Sequence, residues 1–449
     1  MERRIVSANL VLATLASFTS AQVVTRASVS TAGAEANYHT PMPARATCLA
    51  VSADGRFVAF LSSASNLVAG DTNGVDDAFV RDLTLGTTER VSVSTSGQQA
   101  LADRYGRGCF DVAISGDGRY VTFSTAGTKL IDGEKGGGSR GDVYLRDRVA
   151  GTTARVSVSA SGSAPNGDSW YASITPDGRY LAFYSHASNL VANDRNRTTD
   201  FFVRDLWTRT NVRASVDSAG REANSSSLVT TNSAISADGR YVVFLSAASN
   251  LVAGDGNSVS DAFVRDLSAG STERVSLSVW GAELASPVLS ASASISGNGR
   301  FVTYVYSSTD PSELPPDVPV GRYHAYQFDR AAQTTACVSR GPGGEPASEG
   351  IGTGMLGSSA DGRYLAFTSR STNLVPGFPG NVVGVFVRDG VTGQVFLASP
   401  GLGGGWPDGS AFPWQVVLDA AGGTVVFGSE ATNLVTGDAN AMRDVFVAR

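Results

Sequence analysis

Acidic and amide side chains recur at one fixed spacing in four segments of the chain. In the first segment, Asp71 and Asn73 are followed by Asp77. The same arrangement returns as Asp194, Asn196 and Asp200, as Asp255, Asn257 and Asp261, and as Asp438, Asn440 and Asp444. Oxygen donors on a turning loop suit Ca²⁺, with carbonyls and water completing the shell. The alternative is that Asp and Asn form Asx turns and cap the following strand without a metal.

A second group of candidate residues is aromatic and lies in or next to connecting segments. Its members are Tyr105, Trp170, Tyr171, Trp406, Phe412 and Trp414. Exposed aromatic rings beside Asp, Asn and Arg can stack on sugars or anchor a protein. The same rings could instead fill gaps between packed sheets. The sequence therefore predicts a ligand surface for a protein or a glycan and does not choose between them.

Residues that usually carry catalysis are sparse. The chain has three histidines, His39, His186 and His324, at unrelated positions of its repeats. It has neither a G-x-S-x-G elbow nor a histidine cluster with metal-ligand spacing. We therefore expect a binding module rather than an enzyme. An enzymatic function would need a base such as His186 or a tyrosine near the mouth of the fold.

Cysteine content and charge narrow the function further. Cys48 and Cys109 occupy similar places just before two neighbouring strands, so they could form a disulfide or remain as two buried thiols. Cys337 takes a strand position that is Arg90 in the first repeat, and we expect it to be unpaired.

The formal net charge is −6 and no basic patch stands out. A nucleic-acid partner is therefore not expected.

The segments around these residues read as short β-strands. An Asp-Gly pair, Asp54-Gly55, separates two apolar runs and predicts a type I′ hairpin turn. We predict strand A just before this turn, strand B at 56–61, strand C at 78–82 and strand D at 88–95. One unit is thus a four-stranded antiparallel meander, which must stack on copies of itself to bury both faces.

The unit recurs about every 61 residues, seven times in all. The Asp-Gly turn or its equivalent lies at Asp54, Asp117, Asp177, Asp238, Asn298, Asp361 and Ala421-Gly422. The seventh unit has no strand D, whereas residues 23–31 match the strand D segment 87–95. If residues 23–31 complete the last sheet, the ring closes and no sheet edge is left exposed there. We predict an all-β, seven-bladed β-propeller over residues 22–449.

An arginine and an aspartate also repeat with the unit. Arg56 begins strand B and Asp82 ends strand C, so antiparallel pairing should bring them together as a structural ion pair. The equivalent pairs are Arg119 and Asp147, Arg179 and Asp205, Arg240 and Asp266, Arg300 and Asp329, and Arg363 and Asp389. In the seventh unit Gly423 and Arg449 replace the two partners, so both are lost together.

Two motifs in these repeats carry a family resemblance. The S-x-D-G-R-[YF]-[VL]-x-F turn and strand, followed by D-x-F-V-R-D, resemble the repeats of TolB-type, WD40-like bacterial β-propellers. The resemblance covers residues 22–449 and implies a propeller fold. TolB has six blades and a separate N-terminal domain, so its cellular role is not carried over. Some seven-bladed propellers of this kind are polysaccharide lyases, which supplies the enzymatic alternative.

The first 21 residues differ in character from the repeats. Arg3 and Arg4 precede a mostly apolar run from Ile5 to Phe18, and small residues follow at 19–21. This order predicts a secretory signal peptide and hence export to the periplasm or the cell exterior. No later segment is apolar enough to span a membrane. We expect the exported protein to be a monomer.

Overall fold

The structure, a computed structural model, describes residues 22–38, 48–103, 105–132, 141–228, 234–289, 292–354 and 356–449. The predicted leader and His39 lie outside these residues. The described chain forms seven four-stranded antiparallel sheets, or blades, with two short 3₁₀ turns, η1 (Pro311–Glu313) and η2 (Leu402–Gly404). The predicted all-β, seven-bladed propeller is confirmed.

Each blade takes its strands in chain order. Blade 1 contains β2 (Leu49–Val51), β3 (Phe57–Ser62), β4 (Asp77–Asp82) and β5 (Thr87–Arg90). Blade 2 contains β6 (Cys109–Ile114), β7 (Tyr120–Thr125), β8 (Asp142–Asp147) and β9 (Thr152–Arg155). Blade 3 contains β10 (Ser169–Ile174), β11 (Tyr180–Ser185), β12 (Asp200–Asp205) and β13 (Thr210–Arg213). Blade 4 contains β14 (Ser227–Leu228), β15 (Tyr241–Ser246), β16 (Asp261–Asp266) and β17 (Ser271–Arg274).

The last three blades follow the same plan. Blade 5 contains β18 (Ser294–Ile295), β19 (Phe301–Tyr306), β20 (His324–Asp329) and β21 (Thr334–Cys337). Blade 6 contains β22 (Gly357–Ser358), β23 (Tyr364–Ser369), β24 (Gly384–Asp389) and β25 (Val395–Leu397). Blade 7 contains β26 (Ala411–Leu418), β27 (Val425–Ser429), β28 (Asp444–Ala448) and, from the other end of the chain, β1 (Val24–Arg26).

The N-terminal strand closes the ring as predicted. Strand β1 pairs antiparallel with β28, with Val24 opposite Ala448 and Arg26 opposite Phe446. The backbone amide of Ala27 adds a 2.8 Å hydrogen bond to the carbonyl of Val445. Because backbone groups at a sheet edge need partners, this pairing satisfies the outer edge of the seventh blade.

The core lies between blades and is rich in phenylalanine. In each blade the central residues of strands B and C face each other, and in blade 1 these are Phe60 and Phe79, with ring centroids 5.8 Å apart. Both side chains are fully buried. Burying one such ring stabilises the fold by about 1.5–3 kcal/mol, so the repeat itself supplies the stacking energy.

The tight turns differ from the predicted type I′ hairpin. A type I′ turn requires a positive φ at both central residues. Gly55 has a φ of 71°, but the φ of Asp54 is not positive. The amide of Gly55 bonds to the carbonyl of Ser52, 3.0 Å away, while the Asp54 carboxylate accepts bonds from the Ser52 hydroxyl and the Arg56 amide. The turn is therefore a type I turn followed by a left-handed glycine.

The turn glycine is also required by packing between blades. A Cβ atom built on Gly118 would lie 2.2 Å from the ring of Phe57, which begins strand B of the preceding blade. The same close approach recurs at Gly178 against Tyr120. Each turn thus presses its backbone onto an aromatic ring of the previous blade, where no larger residue fits.

Strand D is shorter than predicted. It ends at Arg90 rather than at residue 95, because the amides of Val91 and Ser92 both turn to the carbonyl of Ala78. The chain then leaves the sheet, with an isolated bridge between Val93 and Gln99. The residues after Arg90 therefore belong to the connector that leads to the next blade.

Connectors and B–C loops meet at one end of the ring, which we call the long-loop face. Asn66 in the B–C loop of blade 1 accepts a 3.0 Å bond from the amide of Asn37 and donates one of 2.7 Å to the carbonyl of Glu35. Asn189 and Asn250 repeat this link in blades 3 and 4.

No helix among the described residues is long and apolar enough to cross a membrane.

Candidate ligand-binding site on the long-loop face

The four acidic loops surround an arginine. In blade 1 the guanidinium of Arg90 lies 3.0 Å from the Asp71 carboxylate and 3.4 Å from that of Asp77. Its third acceptor is the side-chain oxygen of Gln99, at 2.9 Å. The Ser92 hydroxyl donates a 2.5 Å bond to the other oxygen of Asp77. A side chain of the protein therefore supplies positive charge between the two carboxylates.

The equivalent clusters in blades 3, 4 and 7 contain one more acid. A glutamate replaces Gln99, so three carboxylates face one guanidinium and two negative charges remain uncompensated when all are ionised. The clusters are Asp194, Asp200, Glu222 and Arg213, then Asp255, Asp261, Glu283 and Arg274, and finally Asp438, Asp444, Glu35 and Arg26. Blade 7 takes Arg26 and Glu35 from the N-terminal segment, so this cluster also joins the two ends of the chain.

Burial controls the acidity of these loops. It raises the pKa of Asp77 to about 6, against the lowering effect of bonds from Ser92, Asn73 and Arg90. The pKa values of Asp194 and Asp438 are also raised to about 6, mainly by burial and further by neighbouring carboxylates. Desolvation disfavours the charged form of a carboxyl group, and the single arginine does not fully offset it.

The asparagines of the predicted calcium ligand set make hydrogen bonds within their loops. The amide nitrogen of Asn73 donates 2.7 Å to Asp77 and 3.0 Å to the carbonyl of Ala100. In blade 4 the side-chain oxygen of Asn257 accepts a 3.0 Å bond from the amide of Val259, which leaves one lone pair of that oxygen for a metal. The carboxylates lie closest in blade 4, where Asp255, Asp261 and Glu283 place one oxygen each within 4.8 Å of the others.

The arginine–aspartate pairs lie at the opposite end of the strands, beside the tight turns. Arg56 and Asp82 are 2.6 Å apart, and the other five pairs are present at 2.6–2.8 Å. Asp82 also accepts bonds from the amides of Thr84 and Leu85. The arginine lowers its pKa to about 2. In blade 7, Arg449 instead donates a 2.6 Å bond to the carbonyl of Gly55. These pairs lie at the end of the strands opposite the long loops.

Two residues of the second predicted group, Trp170 and Tyr171, lie at the junction of blades 2 and 3. We define the blade 2–3 cluster as Phe110, Asp111, Trp170, Tyr171, Tyr184 and His186. It is built on two inner strands with β-bulges, which shift the register of β6 between Cys109 and Asp111 and that of β10 after Trp170. Tyr171 has a φ of 53°, which is uncommon for a residue with a side chain. Bulges re-aim side chains, and here they turn two strands toward each other.

Asp111 lies at the base of the blade 2–3 cluster. Its side chain is fully buried, and one oxygen accepts a 2.8 Å bond from the backbone amide of Tyr171 in the next blade. The other oxygen has no hydrogen-bond partner among the described residues. Burial raises the pKa of Asp111 to about 6, while the nearby Ser124 and the bond from the Tyr171 amide act in the opposite direction. An unsatisfied buried carboxylate oxygen is costly in a folded protein, so it marks this position as one to explain by function.

Aromatic rings extend from Tyr171 to His186 on the long-loop face. The ring centroid of Trp170 is 5.4 Å from that of Tyr184 and 5.3 Å from that of His186. The ring centroids of Tyr171 and Tyr184 are 5.3 Å apart. The Phe110 ring packs edge-on against the Tyr171 ring, with centroids 6.3 Å apart. His186 is exposed, and the Thr199 hydroxyl lies 3.0 Å from its Nδ1. The cluster thus combines a half-buried tryptophan, an exposed imidazole and a buried carboxyl group.

The remaining predicted aromatic residues lie apart from the blade 2–3 cluster. Tyr105 is exposed with the Arg107 guanidinium over its ring. Trp406 is partly exposed and meets Phe378 edge-on at 5.7 Å. Phe412 is half-buried under the guanidinium of Arg443. Trp414 belongs to β26, and its side chain lies outside the described part of the structure.

Of the two alternatives for Cys48 and Cys109, the structure has the two buried thiols. In the described chain Cys48, Cys109 and Cys337 are all buried thiols without a disulfide bond. Cys48 and Cys109 pack in one hydrophobic cluster. Burial, with nearby carboxylates, raises the pKa of the Cys109 thiol well above its usual range. Because disulfide formation proceeds through the thiolate, this environment opposes it.

The sequence analysis did not identify several residues of the acidic clusters and of the blade 2–3 cluster. Arg90, Arg213 and Arg274 each follow the last acid of their loop at a constant spacing, which was a usable signal. Asp111 is a lone carboxylate within an otherwise apolar strand, and that interruption was also visible. Tyr184 and Thr199 carried no such signal, because only the bulged strands bring them to the cluster.

Comparisons with known proteins agree on the fold. No protein-family model matches the chain, and no curated protein matches it in sequence. An oligogalacturonate lyase from Vibrio parahaemolyticus is similar in structure, with 11% identity, a TM-score of 0.52, and coverage of 95% of this chain and 93% of that chain. An oligogalacturonate lyase in complex with manganese matches at 12% identity and a TM-score of 0.51, covering 95% and 97%.

A TolB structure from Acinetobacter baumannii is also similar, at 15% identity and a TM-score of 0.40, over 77% of this chain. The present chain spans 66% of that TolB chain. TolB proteins and other β-propellers are thus among the similar structures. At these identities the likeness extends to the fold alone.

Proposed function

We propose that the protein is an exported binding module that recognises a glycan on its long-loop face, through the blade 2–3 cluster. The observation that carries this proposal is the half-buried Trp170, which lies against Tyr184 and the exposed His186 on the long-loop face. A sugar offers apolar C–H faces for the ring and hydroxyl groups for polar neighbours. Ligand sites commonly combine aromatic walls with a few convergent polar groups.

The rigidity of the surroundings supports recognition without a large conformational change. The blade 2–3 cluster includes residues of β6 and β10, each of which pairs with the next strand of its own blade, and the bond from the Tyr171 amide to Asp111 joins the two strands. Sites on strands hold their side chains in place better than sites on free loops, so less entropy is lost on binding. The other class of ligand is a protein, and a glycan array distinguishes the two classes.

Export belongs to the same proposal. It rests on the sequence of residues 1–21, which lie outside the described structure. Cell fractionation followed by mass spectrometry of the N-terminal peptide tests it. The proposal expects the protein outside the cytoplasm with Gln22 as its first residue, and an intact leader on cytoplasmic protein contradicts it.

We also propose that Ca²⁺ stiffens the long-loop face through the carboxylates of blades 4 and 7. Blade 4 has the closest set of three acids. In blade 7 the Asp438 side chain is 2% exposed, and its Oδ1 has no hydrogen-bond partner among the described residues. The expected result is a rise in melting temperature with Ca²⁺ that Asp438→Asn and Asp255→Asn reduce. Equal melting temperatures in excess Ca²⁺ and excess chelator contradict it.

A glycan-active enzyme is the second candidate. The specific observation in its favour is His186, an exposed imidazole 5.3 Å from the Trp170 ring, where a sugar on that ring would be within reach of a base. The structural neighbours include oligogalacturonate lyases, and this supports the idea only at the level of fold.

One purified sample can separate these functions. A glycan array is probed with the protein and with Trp170→Ala, and each hit is then incubated while absorbance reports unsaturated products. The matched control is Trp207→Ala, because Trp207 is 68% exposed at the opposite end of the strands. Binding lost only in Trp170→Ala, without turnover, supports the module. Turnover that His186→Ala abolishes supports the enzyme, and absence of any hit contradicts both.

A further inference from the structure

A pocket lies at the tight-turn end of the strands, at the junction of blades 3 and 4. Its volume is about 440 Å³, within the range of sites that enclose small ligands. We define the blade 3–4 pocket by Tyr180, Val212, Asp238, Gly239 and Leu267. Val212 is 51% exposed and Asp238 is also exposed, so a ligand can reach these walls from solvent.

An arginine fills the equivalent place between blades 1 and 2. The guanidinium of Arg148 lies 4.6 Å from the ring centroid of Phe57 and donates a bond to the carbonyl of Gly118 in the tight turn. Its Nε donates a 2.6 Å bond to Glu89 on strand D of blade 1. Because Arg148 directly follows strand C of blade 2, this contact clamps the second blade to the first.

Blades 4 and 5 repeat the clamp. The guanidinium of Arg330 lies 4.0 Å from the ring centroid of Tyr241 and donates a 2.5 Å bond to the carbonyl of Gly299. Glu273 on strand D accepts a 2.6 Å bond from its Nε. Two separate junctions therefore place a guanidinium between an aromatic ring, a turn carbonyl and a carboxylate.

The blade 3–4 pocket is the same place without an arginine. Tyr180 and Gly239 supply the ring and the turn carbonyl, whereas Leu267 stands where the clamp has arginine and Val212 where it has glutamate. No described residue donates a hydrogen bond to the carbonyl of Gly239. Arg179 already stacks on Tyr180, but the clamped rings carry the equivalent arginine as well as the clamp. The clamp position itself is therefore open.

The charges at the blade 3–4 pocket favour a cation. Arg240 and Asp205 also line it, and each has an ion-pair partner, Asp266 at 2.7 Å and Arg179 at 2.8 Å respectively. Asp238 forms no ion pair with any described residue. An incoming guanidinium would thus meet one carboxylate that is not yet paired, and planar guanidinium groups both stack on rings and bond to oxygen acceptors.

We propose that the blade 3–4 pocket receives an arginine side chain of a partner polypeptide. The guanidinium stacks on Tyr180 and donates to the carbonyl of Gly239, beside the carboxylate of Asp238. Its alkyl stem packs on Val212 and Leu267. Two arginines of this chain already bind the equivalent groups in this way. The pocket lies at the opposite end of the strands from the long-loop face, so the inference adds a protein interface and does not depend on glycan recognition.

Blocked tripeptides test the inference in ligand-observed NMR titrations. Acetyl-Gly-Arg-Gly-amide is compared with the same peptide carrying citrulline, which keeps the planar shape and lacks the charge, and with methylguanidinium, which lacks the alkyl stem. We expect saturable binding of the arginine peptide and at least about fivefold weaker binding of the other two. Equal affinity for the arginine and citrulline peptides overturns the inference. Equal affinity for methylguanidinium overturns the assignment to a polypeptide.

Restoring the clamp assigns the binding to this pocket. The double variant Leu267→Arg, Val212→Glu rebuilds the pair found at the two clamped junctions and fills the pocket without changing the net charge. The matched control is Leu206→Arg, Ala154→Glu, which makes the same changes at the equivalent positions between blades 2 and 3. We expect the first variant to weaken binding of the arginine peptide at least about tenfold and the control to leave it unchanged.

A third variant, Asp238→Asn, removes the unpaired charge and keeps the turn. Asn298 holds the same position in blade 5, where its side-chain oxygen accepts the same bonds from the Ser296 hydroxyl and the Arg300 amide. Asp238→Asn is expected to weaken binding of the arginine peptide about threefold and to leave binding of the citrulline peptide unchanged. Equal effects on the two peptides contradict a role of this carboxylate in binding the guanidinium.

The remaining outcomes separate this inference from the proposed function. Circular dichroism and melting temperatures verify that each variant is folded. If peptide binding survives in Leu267→Arg, Val212→Glu, or is lost in the matched control, the pocket inference fails and glycan recognition is unaffected. If the peptides behave as expected and no glycan binds, the proposed function fails and the pocket inference stands.

Discussion

The backbone amide of Tyr171 donates a 2.8 Å hydrogen bond to the side chain of Asp111, and this bond joins blade 3 to blade 2. It exists because both inner strands bulge at this point. The bond satisfies one carboxylate oxygen and leaves the other without a partner among the described residues. The unpaired oxygen reduces stability, and the bond fixes Tyr171, whose ring contacts Tyr184 and Phe110, relative to blade 2.

The substitution Asp111→Asn tests the electrostatic state of this group. The folded pKa is about 6, above the unfolded value near 3.9, so the folded state binds more protons between these pH values. The wild-type charge therefore opposes folding above pH 6. Asp111→Asn should raise the free energy of unfolding by up to about 2–3 kcal/mol at pH 7.5 and change it little at pH 4. Denaturant unfolding at the two pH values measures this, and equal changes at both contradict it.

The whole protein should show a stability maximum in mild acid. Asp77, Asp111, Asp194 and Asp438 have pKa values raised to about 6, so their protonation adds stability as the pH falls from 6 to 4. Asp82 and Asp266 have pKa values lowered to about 2, so their contribution is present above pH 4 and is lost as the pH falls to 2. Melting curves in low-salt buffers should peak between about pH 4 and 5. A steady decline from pH 7 to pH 4 would be inconsistent with these shifts.

The closing cluster of blade 7 should depend strongly on Arg26. Its guanidinium is 6% exposed and faces Asp438 and Asp444, whose side chains are 2% and 0% exposed. Arg26→Ala leaves buried carboxylates without their positive partner, which typically costs about 3–5 kcal/mol. The double variant Arg26→Ala, Asp438→Asn should recover part of the loss, because one buried charge is removed. A loss below 1 kcal/mol in urea unfolding would refute the role of this cluster in closure.

The ion pairs beside the tight turns should behave differently. Arg56 is 38% exposed, so Arg56→Ala is expected to cost about 0–1 kcal/mol. Asp82 is nearly buried and also caps the C–D turn by accepting bonds from Thr84 and Leu85. Asp82→Ala should therefore cost more, about 1–2 kcal/mol, as lost backbone caps do. Thermal and urea unfolding of the two variants compares them, and a larger effect of Arg56→Ala would contradict this assignment.

The fold could be predicted because the same pattern of turns and strands recurs in each of the seven repeats. The match between residues 23–31 and 87–95 predicted the closing strand, and Arg26 does occupy in blade 7 the place of Arg90 in blade 1. The predicted turn type was wrong because contacts in the folded protein, as well as the local sequence, determine the turn. Asp54-Gly55 forms a type I turn with a left-handed glycine, because the Asp54 side chain bonds within the turn and Gly55 lies against Thr424 of the last blade.

The candidate site was harder to predict than the fold. The spacing of Asp71, Asn73 and Asp77 indicated oxygen ligands, but only the structure shows the asparagine nitrogen facing Asp77 and the guanidinium of Arg90 between the acids. Trp170 and Tyr171 were identifiable as ligand-face candidates from their place in the repeat. The bond between the Tyr171 amide and Asp111 depends on two β-bulges, which alternation of polar and apolar residues does not reveal.

Hydrogen–deuterium exchange with a bound glycan tests the central claim most directly. The ligand is the glycan that gives the strongest signal on the array, and exchange is followed by peptide mass spectrometry in its presence and absence. The account predicts added protection in the long-loop segments around residues 105–111 and 166–171, with no change at the tight turns around residues 53–56. Protection confined to the tight-turn face, or spread evenly over all seven blades, would contradict it.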